Sequence, residues 1–234
     1  MSLDRAGTGY FVTGTDTGVG KTLAACALVH EFARLGRRVV GMKPVAAGTS
    51  DSADRWGNAD VAALAAASSI AVTREQINPY LFAPPIAPHL AAAEAGVRID
   101  LEVIAGSVAR LRALADVVVV EGVGGFLVPL NEREDAADLA IRLALPVVIV
   151  VALRLGCLNH ALLTARAVKD RGLHLAGWVA NRLDPGMAKA RENRAALEDR
   201  LGAPLLGEIP FMLEPEVARA AASLDIRTLA GAPR

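Results

Sequence analysis

Short apolar runs, rich in β-branched residues, recur along the chain without the alternation of a half-exposed strand. They are Tyr10–Thr13, Val39–Met42, Val117–Val120, Val147–Val151, Leu175–Val179 and Leu205–Ile209. A strand that is apolar at every position is covered on both faces, which is typical of a parallel sheet. The pattern therefore predicts six buried strands.

Segments with helical spacing lie between these runs. In Lys21–Leu35 apolar residues recur three or four apart, and Gly36 follows as a suitable C-terminal cap; Leu158–Arg171 has a similar pattern and precedes Gly172. Strands that alternate with helices predict an α/β fold with a doubly wound, mainly parallel sheet flanked by helices. Because no repeat, low-complexity tract or linker interrupts the pattern, we expect one domain over residues 1–234.

The segment Asn78–His89 breaks this rhythm because it contains four prolines. Proline lacks a backbone donor, so we expect neither a helix nor a central strand here. The segment is either a stiff loop that walls a pocket or a simple connector, and the sequence alone does not choose between them.

Composition narrows the class of protein. The 234 residues are 53% hydrophobic, and 25 basic residues balance 25 acidic ones. The apolar content excludes a disordered chain, and zero net charge gives no bulk attraction to nucleic acid or anionic lipid. The longest apolar region, between Arg142 and Arg154, is interrupted by Pro146 and is shorter than the roughly 20 residues of a membrane span.

Two features indicate the compartment. Cys26 and Cys157 are the only cysteines and lie far apart in sequence, so no disulfide framework is implied and a reducing environment fits. The N-terminal sequence MSLDRAGTGYFV lacks the pattern of a signal peptide. We therefore expect a cytoplasmic protein with neither a membrane nor a nucleic-acid partner.

The sequence GTDTGVGKT, from Gly14 to Thr22, connects the first predicted strand to the first predicted helix. Small residues let successive backbone N–H groups turn toward an anion, and the helix N-terminus adds free donors and a partial positive charge. Lys21 can bridge the β- and γ-phosphates, and the Thr22 hydroxyl can coordinate magnesium. This context predicts a fold of the phosphate-loop NTPase type.

The spacing of this loop departs from the standard one. Gly14 lies one residue too early and Thr15 takes its usual place, as in the deviant phosphate-loop class. Partition and septum-site ATPases of that class carry a signature lysine five residues before the loop lysine. Asp16 occupies that position here, which counts against a switch-type ATPase.

Charged residues follow two of the predicted strands. Glu121 ends the Val117–Val120 run and precedes a Gly-rich segment, whereas Lys43 follows the second strand. The carboxyl edge of an open α/β sheet is where such folds bind ligands, so Glu121 can hold magnesium or its water and Lys43 can face a phosphate. Asp60 opens a helical stretch, where it is either an N-cap or a metal ligand.

Taken together, these motifs resemble those of the dethiobiotin synthetase family of biotin biosynthesis. The resemblance extends over nearly the whole chain, through YFVTGTDTGVGKT (10–22), GMKPVAAGT (41–49), NADVAAL (58–64), NPYLFAPPIAPH (78–89), VEGVGGFLVPL (120–130), LGCLNHALLT (155–164), AGWVANR (176–182) and PLLGEIPF (204–211). It implies a ligase that uses ATP, Mg²⁺ and CO₂ or bicarbonate to close a cyclic urea on 7,8-diaminopelargonic acid, through a carbamate and a carbamic–phosphoric anhydride.

The resemblance also implies roles for individual residues. Lys21, Lys43 and Thr17 would be catalytic, and Thr22, Asp60 and Glu121 would hold magnesium. The nucleotide site would comprise Gly18, Val19, Gly20, Lys21, Thr22, Leu23, Asp60, Glu121, Gly122, Val123, Gly124, Asn181, Arg182, Ile209, Pro210, Phe211 and Glu214. The protein would be a homodimer, and both subunits would contribute to the diamine site. One subunit would supply Thr17, Lys43, Ala47 and Gly124. The other would supply Gly156, Cys157, Leu158 and Asn159, whose backbone N–H groups at a helix start would bind the substrate.

Two positions depart from the family or leave a choice open. Ala47 replaces a hydroxyl residue, so one hydrogen bond is lost or is supplied by Thr49 or water. The family's adenine-reading Asn181 begins Asn181-Arg182-Leu183-Asp184, which resembles the guanine-reading Asn-Lys-x-Asp motif. We expect the nucleotide to be ATP, since Arg182 replaces the lysine of that motif.

Two alternative functions stay open. One is a related amidoligase that acts on another substrate, and the other is a nucleotide-dependent switch.

Overall fold

The structure, a computed structural model, describes residues 8–49 and 55–230. The strands are β1 (Thr8–Gly14), β2 (Val39–Met42), β3 (Val45–Ala47), β4 (Tyr80–Phe82), β5 (Val117–Gly125), β6 (Val147–Ala152), β7 (Leu175–Asn181) and β8 (Leu205–Ile209). The helices are α1 (Lys21–Arg34), α2 (Ala59–Ala67), α3 (Arg74–Ile77), α4 (Pro88–Glu94), α5 (Leu101–Leu114), α6 (Ala136–Leu143), α7 (Cys157–Asp170), α8 (Ala190–Leu201) and α9 (Val217–Ala221).

Six strands form the central sheet, in the order β2-β5-β1-β6-β7-β8, and every neighbouring pair is parallel. Successive strand residues point to opposite faces, so Val117 and Val119 belong to one apolar core and Val118 and Val120 to the other. Helices α5, α6, α7 and α8 pack on one face, and α1 and α9 pack on the other. The predicted α/β class and the predicted strands are confirmed.

Both predicted C-terminal caps are confirmed. Helix α1 ends at Arg34 and α7 at Asp170, and Gly36 and Gly172 follow with φ of 75° and 71°. This left-handed conformation is inexpensive only for glycine, and it lets the chain reverse toward the next strand.

The predicted end of the third run, Val117–Val120, is wrong. Strand β5 continues past Val120 to Gly125, because β1 pairs with it as far as the Gly14–Gly125 pair. Glu121 therefore lies inside the strand, opposite Val12, and not at its end.

The Pro-rich segment contains regular structure that its sequence did not predict. Tyr80–Phe82 pairs with Val45–Ala47 in a separate two-stranded parallel sheet. Pro88 begins helix α4, so the expectation that no part of the segment is helical is wrong. Proline is well accommodated there because the first helical residue has no backbone hydrogen bond to lose.

In the described ranges, none of the helices is long and apolar enough to cross a membrane. Residues 1–7, which carry most of the sequence examined for a signal peptide, lie outside those ranges. The single domain over residues 1–234 stays a prediction.

The C-terminal segment depends on a close approach at Gly207. A Cβ there would overlap the Ser223 carbonyl oxygen, where the chain runs antiparallel to β8. We expect Gly207→Ala to lower the free energy of unfolding by about 2–3 kcal/mol. Gly106→Ala is the matched control: Gly106 lies within α5, where a Cβ would make only an ordinary contact with Arg110 Nη1 at 3.5 Å, so alanine should raise stability by up to about 1 kcal/mol. Urea unfolding measures both, and equal stability of the two variants would contradict the packing.

Candidate active site

A cleft of about 710 Å³ opens at the carboxyl edge of the central sheet. Its walls come from the loop before α1, the segments after β2 and along β5, the start of α2 and the Pro-rich segment. The lining residues are Thr17, Gly18, Gly20, Lys21, Thr22, Lys43, Ala46, Ala47, Asn58, Asp60, Pro85, Ile86, Ala87, Pro88, Glu121, Val123, Gly124 and Val128. Of the two interpretations of the Pro-rich segment, the pocket wall is confirmed.

The loop before α1 has the backbone of an anion cradle. Gly18 and Gly20 adopt positive φ (72° and 87°), and Gly20 is the N-cap of α1 without a side-chain cap. The first N–H groups of a helix have no partner within it. Lys21 folds back over the loop and donates from Nζ to the Asp16 carbonyl at 3.0 Å.

Burial and the nearby Lys43 lower the pKa of Lys21 to about 8. Its ammonium is thus poorly solvated and repelled by a second cation. A site of this kind is stabilised by an anion that approaches both lysines.

Asp16, at the position of the signature lysine in switch ATPases, is engaged by its own surroundings. Oδ1 accepts from the Thr17 N–H at 2.8 Å, and Oδ2 pairs with Arg154 Nη2 at 2.6 Å. The Thr17 N–H and then Arg154 lower the pKa of Asp16. A carboxylate therefore stabilises the loop where the switch proteins carry a cation.

Lys43 and two carboxylates form the charged centre of the cleft. Lys43 Nζ lies 2.5 Å from Glu121 Oε1 and 3.0 Å from Asp60 Oδ2. The hydroxyl of Thr22 donates to the same Glu121 oxygen at 2.9 Å. The residues predicted to hold magnesium are thus brought together, with Lys43 among them.

Burial governs the electrostatics of this centre. Glu121 is 1% exposed and Lys43 4%, and burial raises the pKa of Glu121. Burial also opposes protonation of Lys43, but Glu121 and Asp60 outweigh it and raise the lysine pKa. For the half-exposed Asp60, the opposing effect of burial is outweighed by Lys43, so the carboxyl pKa is lowered. Lys43 is therefore a cation at neutral pH.

Two asparagines that sequence reasoning did not assign support the centre. Asn78 is fully buried, and its Nδ2 donates to the Lys43 carbonyl at 2.7 Å. Asn58 caps α2 through Oδ1 and donates from Nδ2 to the Gly48 carbonyl. Asn58, and not Asp60, is thus the N-cap of α2, and the Asp60 carboxylate instead pairs with Lys43. The Asn78–Pro79 pair was the available signal, since asparagine before proline is typical of a turn.

The centre has the donors that a hard cation requires. Glu121 Oε2 is buried and has no hydrogen-bond partner among the described residues. Carboxylate and hydroxyl oxygens are the ligands that Mg²⁺ prefers, with phosphate oxygens and water completing its shell. Within the described ranges, no group of three or more His, Cys, Asp or Glu side chains could hold a metal. Thr22, Asp60 and Glu121 fit a magnesium ion that is shared with a phosphate.

Other predicted nucleotide residues lie away from this cleft. Val19 and Gly122 are buried behind its wall, and Leu23 packs partly against the core. The Ile209 side chain is fully buried, so only its backbone could meet a ligand. Pro210 is half-buried beyond the end of β8, whereas Phe211 and Glu214 line a separate open cleft.

The three polar side chains of the guanine-like motif each contact a neighbouring protein group. The Arg182 guanidinium pairs with Glu208 at 3.0 Å, and Asp184 Oδ1 accepts the Gly186 N–H. Asn181 is buried, and its Nδ2 donates to the Val19 carbonyl at 2.9 Å.

The predicted diamine residues divide into two groups. Thr17, Lys43, Ala47 and Gly124 line the cleft. The second group surrounds the start of α7: Gly156 is its N-cap and Asn159 is exposed. The Cys157 N–H donates to the Arg154 carbonyl at 3.0 Å. Leu155, beside this turn, is 99% exposed.

Comparison with known proteins agrees with this geometry. Residues 8–218 match the family model described as an AAA domain. The ATP-dependent dethiobiotin synthetase BioD of Nitrosospira multiformis is 58% identical over 220 residues, 94% of this chain and 96% of the relative. The protein of that name from Aromatoleum aromaticum is 55% identical over 217 residues, 93% and 96% of the two chains.

Among solved structures, the cell division ATPase MinD of Pyrococcus furiosus superposes with a TM-score of 0.56. The alignment covers 97% of this chain and 89% of MinD at 21% identity. At that identity the likeness shows the fold alone.

The buried negative charge of Glu121 is stabilised by the ammonium group of Lys43. We expect Lys43→Met to lower the free energy of unfolding by about 3–5 kcal/mol, because it leaves that buried carboxylate without a cation. Adding Glu121→Gln should restore most of the loss, since the double variant has no buried charge there. Urea unfolding followed by circular dichroism measures both variants.

Lys169→Met is the control for this pair. Lys169 Nζ donates to the Leu201 carbonyl from the exposed surface of α7, so its loss should cost less than about 1 kcal/mol. If Lys43→Met unfolds at the same urea concentration as this control, the buried pair does not stabilise the fold as described.

Proposed function

The chain belongs to the dethiobiotin synthetase family, and on that premise we propose that it is an ATP-dependent ligase that converts 7,8-diaminopelargonic acid and CO₂ to dethiobiotin. The observation that carries the proposal is the cleft itself. It joins a phosphate loop, two lysines and two carboxylates to a wall of proline and small apolar residues. One part suits a triphosphate and the other a flexible aliphatic substrate.

The reaction needs activation of a carbonyl. One amine of the substrate adds to CO₂ and forms a carbamate. A carbamate oxygen attacks the γ-phosphorus of ATP, ADP departs, and a carbamic–phosphoric anhydride remains. The second amine then attacks the carbonyl carbon, and phosphate leaves as the cyclic urea closes. The protein supplies mainly position and charge neutralisation.

Lys21 and Lys43 supply that charge. Lys21 would contact the phosphate chain at the start of α1, and Lys43, between the loop and the Pro-rich wall, would meet both the γ-phosphoryl group and the carbamate. Asn78 and the carboxylates hold Lys43 in place through its carbonyl and its ammonium. Thr17 lies beside Gly124, where it can orient the diamine.

Magnesium is the cofactor that this donor set fits. When bound, Mg²⁺ neutralises phosphate charge as the terminal group is transferred. Thr22, Asp60 and Glu121 would hold it. Lys43 would then exchange contacts with these carboxylates for contacts with the substrate anions.

A homodimer would complete the diamine site. Support comes from the fully exposed Leu155 next to the Gly156 turn, because an apolar side chain in that position is suited to burial against a partner. The N–H groups of Leu158 and Asn159 at the start of α7 would contact the substrate carboxylate from the second subunit. Cytoplasmic location and a single domain belong to the same proposal.

The switch and the related amidoligase are the alternatives. Asp16, held by Thr17 and Arg154, argues against a switch that needs a lysine at this position.

A product assay separates the dethiobiotin-forming ligase, the related amidoligase and the switch. Diamine, bicarbonate and each nucleoside triphosphate in turn are incubated with the protein, and products are identified by mass. We expect dethiobiotin with ATP, and phosphate release only when diamine and bicarbonate are both present.

Two results would count against the ligase. Phosphate release without diamine that rises with an added protein, DNA or lipid surface would favour a switch. ATP-dependent ligation of a different amine, with the diamine inert, would favour another amidoligase.

The lowered pKa of Lys21 predicts proton uptake on ATP binding. Above pH 8 the lysine of the free protein is increasingly neutral, and bound phosphate favours its charged form. ATP affinity should therefore fall as pH rises through 8, by up to about tenfold per pH unit, with binding that takes up protons. Calorimetry in two buffers of different ionisation enthalpy measures the uptake. Lys21→Met should abolish it, and unchanged uptake in that variant would assign the proton to another group.

The shared diamine site predicts a selective defect at Asn159. We expect Asn159→Pro to raise the KM for diamine roughly tenfold and leave the KM for ATP unchanged, because proline in the first turn of α7 lacks the N–H that would contact the substrate carboxylate. Leu155→Asp should convert the dimer to monomers and reduce diamine turnover further. Sedimentation and steady-state kinetics measure these effects, and a fully active monomer would refute the shared site.

A further inference from the structure

One buried side chain joins the far end of β7 to the phosphate loop. Asn181 is 2% exposed, and its Nδ2 donates to the Val19 carbonyl, 162 residues earlier in the chain, at 2.9 Å. The bond spans from the end of one strand of the central sheet to the last turn before α1.

Asn181 is itself held rigidly. Its carbonyl accepts the Leu153 N–H at 2.8 Å, and it pairs with Ala152 of β6 and Ile209 of β8. With a neighbouring strand on each side, its backbone has little freedom to move. The side-chain amide is therefore presented to the loop from a fixed position.

The loop leaves space for this amide by having no side chain at position 20. A Cβ on Gly20 would overlap Asn181 Nδ2. The amide thus packs directly against Gly20, the residue that precedes Lys21. The packing of the Asn181 amide against Gly20 and its hydrogen bond to the Val19 carbonyl together fix the orientation of the peptide that links Val19 to Gly20.

The orientation of that peptide decides where its N–H points. In a trans peptide the carbonyl and the following N–H point in opposite directions. Asn181 holds the Val19 carbonyl away from the cleft that Gly20 lines. The Gly20 N–H is consequently directed to the opposite side. Rotation of this peptide would instead turn a carbonyl oxygen toward a bound phosphate and repel it.

We infer that Asn181 is a positioning residue for the phosphate loop and sets the affinity for the triphosphate chain whatever base is attached. The inference rests on the proposed function, since it concerns the nucleotide of that reaction. It differs from the base-reading role expected from family resemblance. A base reader affects only ligands that carry a base, whereas a residue that holds the loop affects a bare triphosphate as well.

Inorganic triphosphate with Mg²⁺ is therefore the discriminating probe. Its Kd and the Kd of ATP are measured by calorimetry for the wild-type protein and Asn181→Ala, well below the unfolding temperature of either. We expect both Kd values to rise by a similar factor of about ten, because the Val19 carbonyl loses its buried partner. The KM for ATP should rise likewise, with the KM for diamine unchanged.

Two further variants make the test robust. Asn193→Ala removes a similar amide-to-carbonyl bond, from Asn193 to Lys189 near the start of α8, and should leave both Kd values unchanged. Asn181→Leu keeps the branched shape of the side chain without a donor. It should reproduce the tenfold loss, and it replaces Asn181→Ala if that variant fails to fold.

Several outcomes would overturn the inference. One is a rise in the Kd for ATP alone, with inorganic triphosphate bound by Asn181→Ala as tightly as by the wild-type protein. Another is a wild-type protein that binds ATP but not inorganic triphosphate, because the affinity for ATP would then depend on the base. Both leave the ligase proposal intact. A wild-type protein that binds neither ligand and makes no dethiobiotin would instead remove the proposed function itself.

Discussion

The active-site end of the molecule is organised around a carboxylate that water does not reach. Glu121 is almost completely buried, and an isolated charge in that position would be costly. Its neighbours compensate with the Lys43 ammonium and the Thr22 hydroxyl on one oxygen. To bring these groups together, the end of β2, the middle of β5 and the start of α1 must converge at one point. The cleft results from that convergence.

The register of the central sheet determines whether the convergence occurs. Val12 pairs with Glu121, and Met42 pairs with Val120. A slip of one residue would turn Glu121 to the opposite face, because side chains alternate along a strand. Parallel pairing with apolar cores on both faces makes such a slip expensive. The same burial that stabilises the sheet therefore fixes the relative positions of the charged groups.

Much of this arrangement could be predicted from local sequence. Continuous apolar runs identify strands, and the Gly-rich loop before Lys21 identifies the anion cradle, because both signals lie within a few residues. The extension of β5 to Gly125 and the pairing of β3 with β4 depend on partners distant in the chain. The role of Asn78 was missed for the same reason, since its bond to the Lys43 carbonyl spans 35 residues.

At two sites, the sequence left the role of a residue open until the structure showed its hydrogen bonds. The segment at the start of α7 could be expected to present free N–H groups, yet the Arg154 carbonyl occupies that of Cys157. Asp60 left two interpretations open until the structure placed Asn58 as the cap. In each case the deciding fact is a competition between nearby polar groups, which composition and spacing do not encode.

The long bond from Asn181 to Val19 has a consequence for biosynthesis. A ribosome makes the loop early, but β5 follows about one hundred residues later and β7 later still. A nascent chain that ends before β5 has the glycines and lysine of the cradle without Glu121, and one that ends before β7 lacks the amide beneath Gly20. The nucleotide site therefore matures in stages during translation, and its last support arrives only when Asn181 has been made.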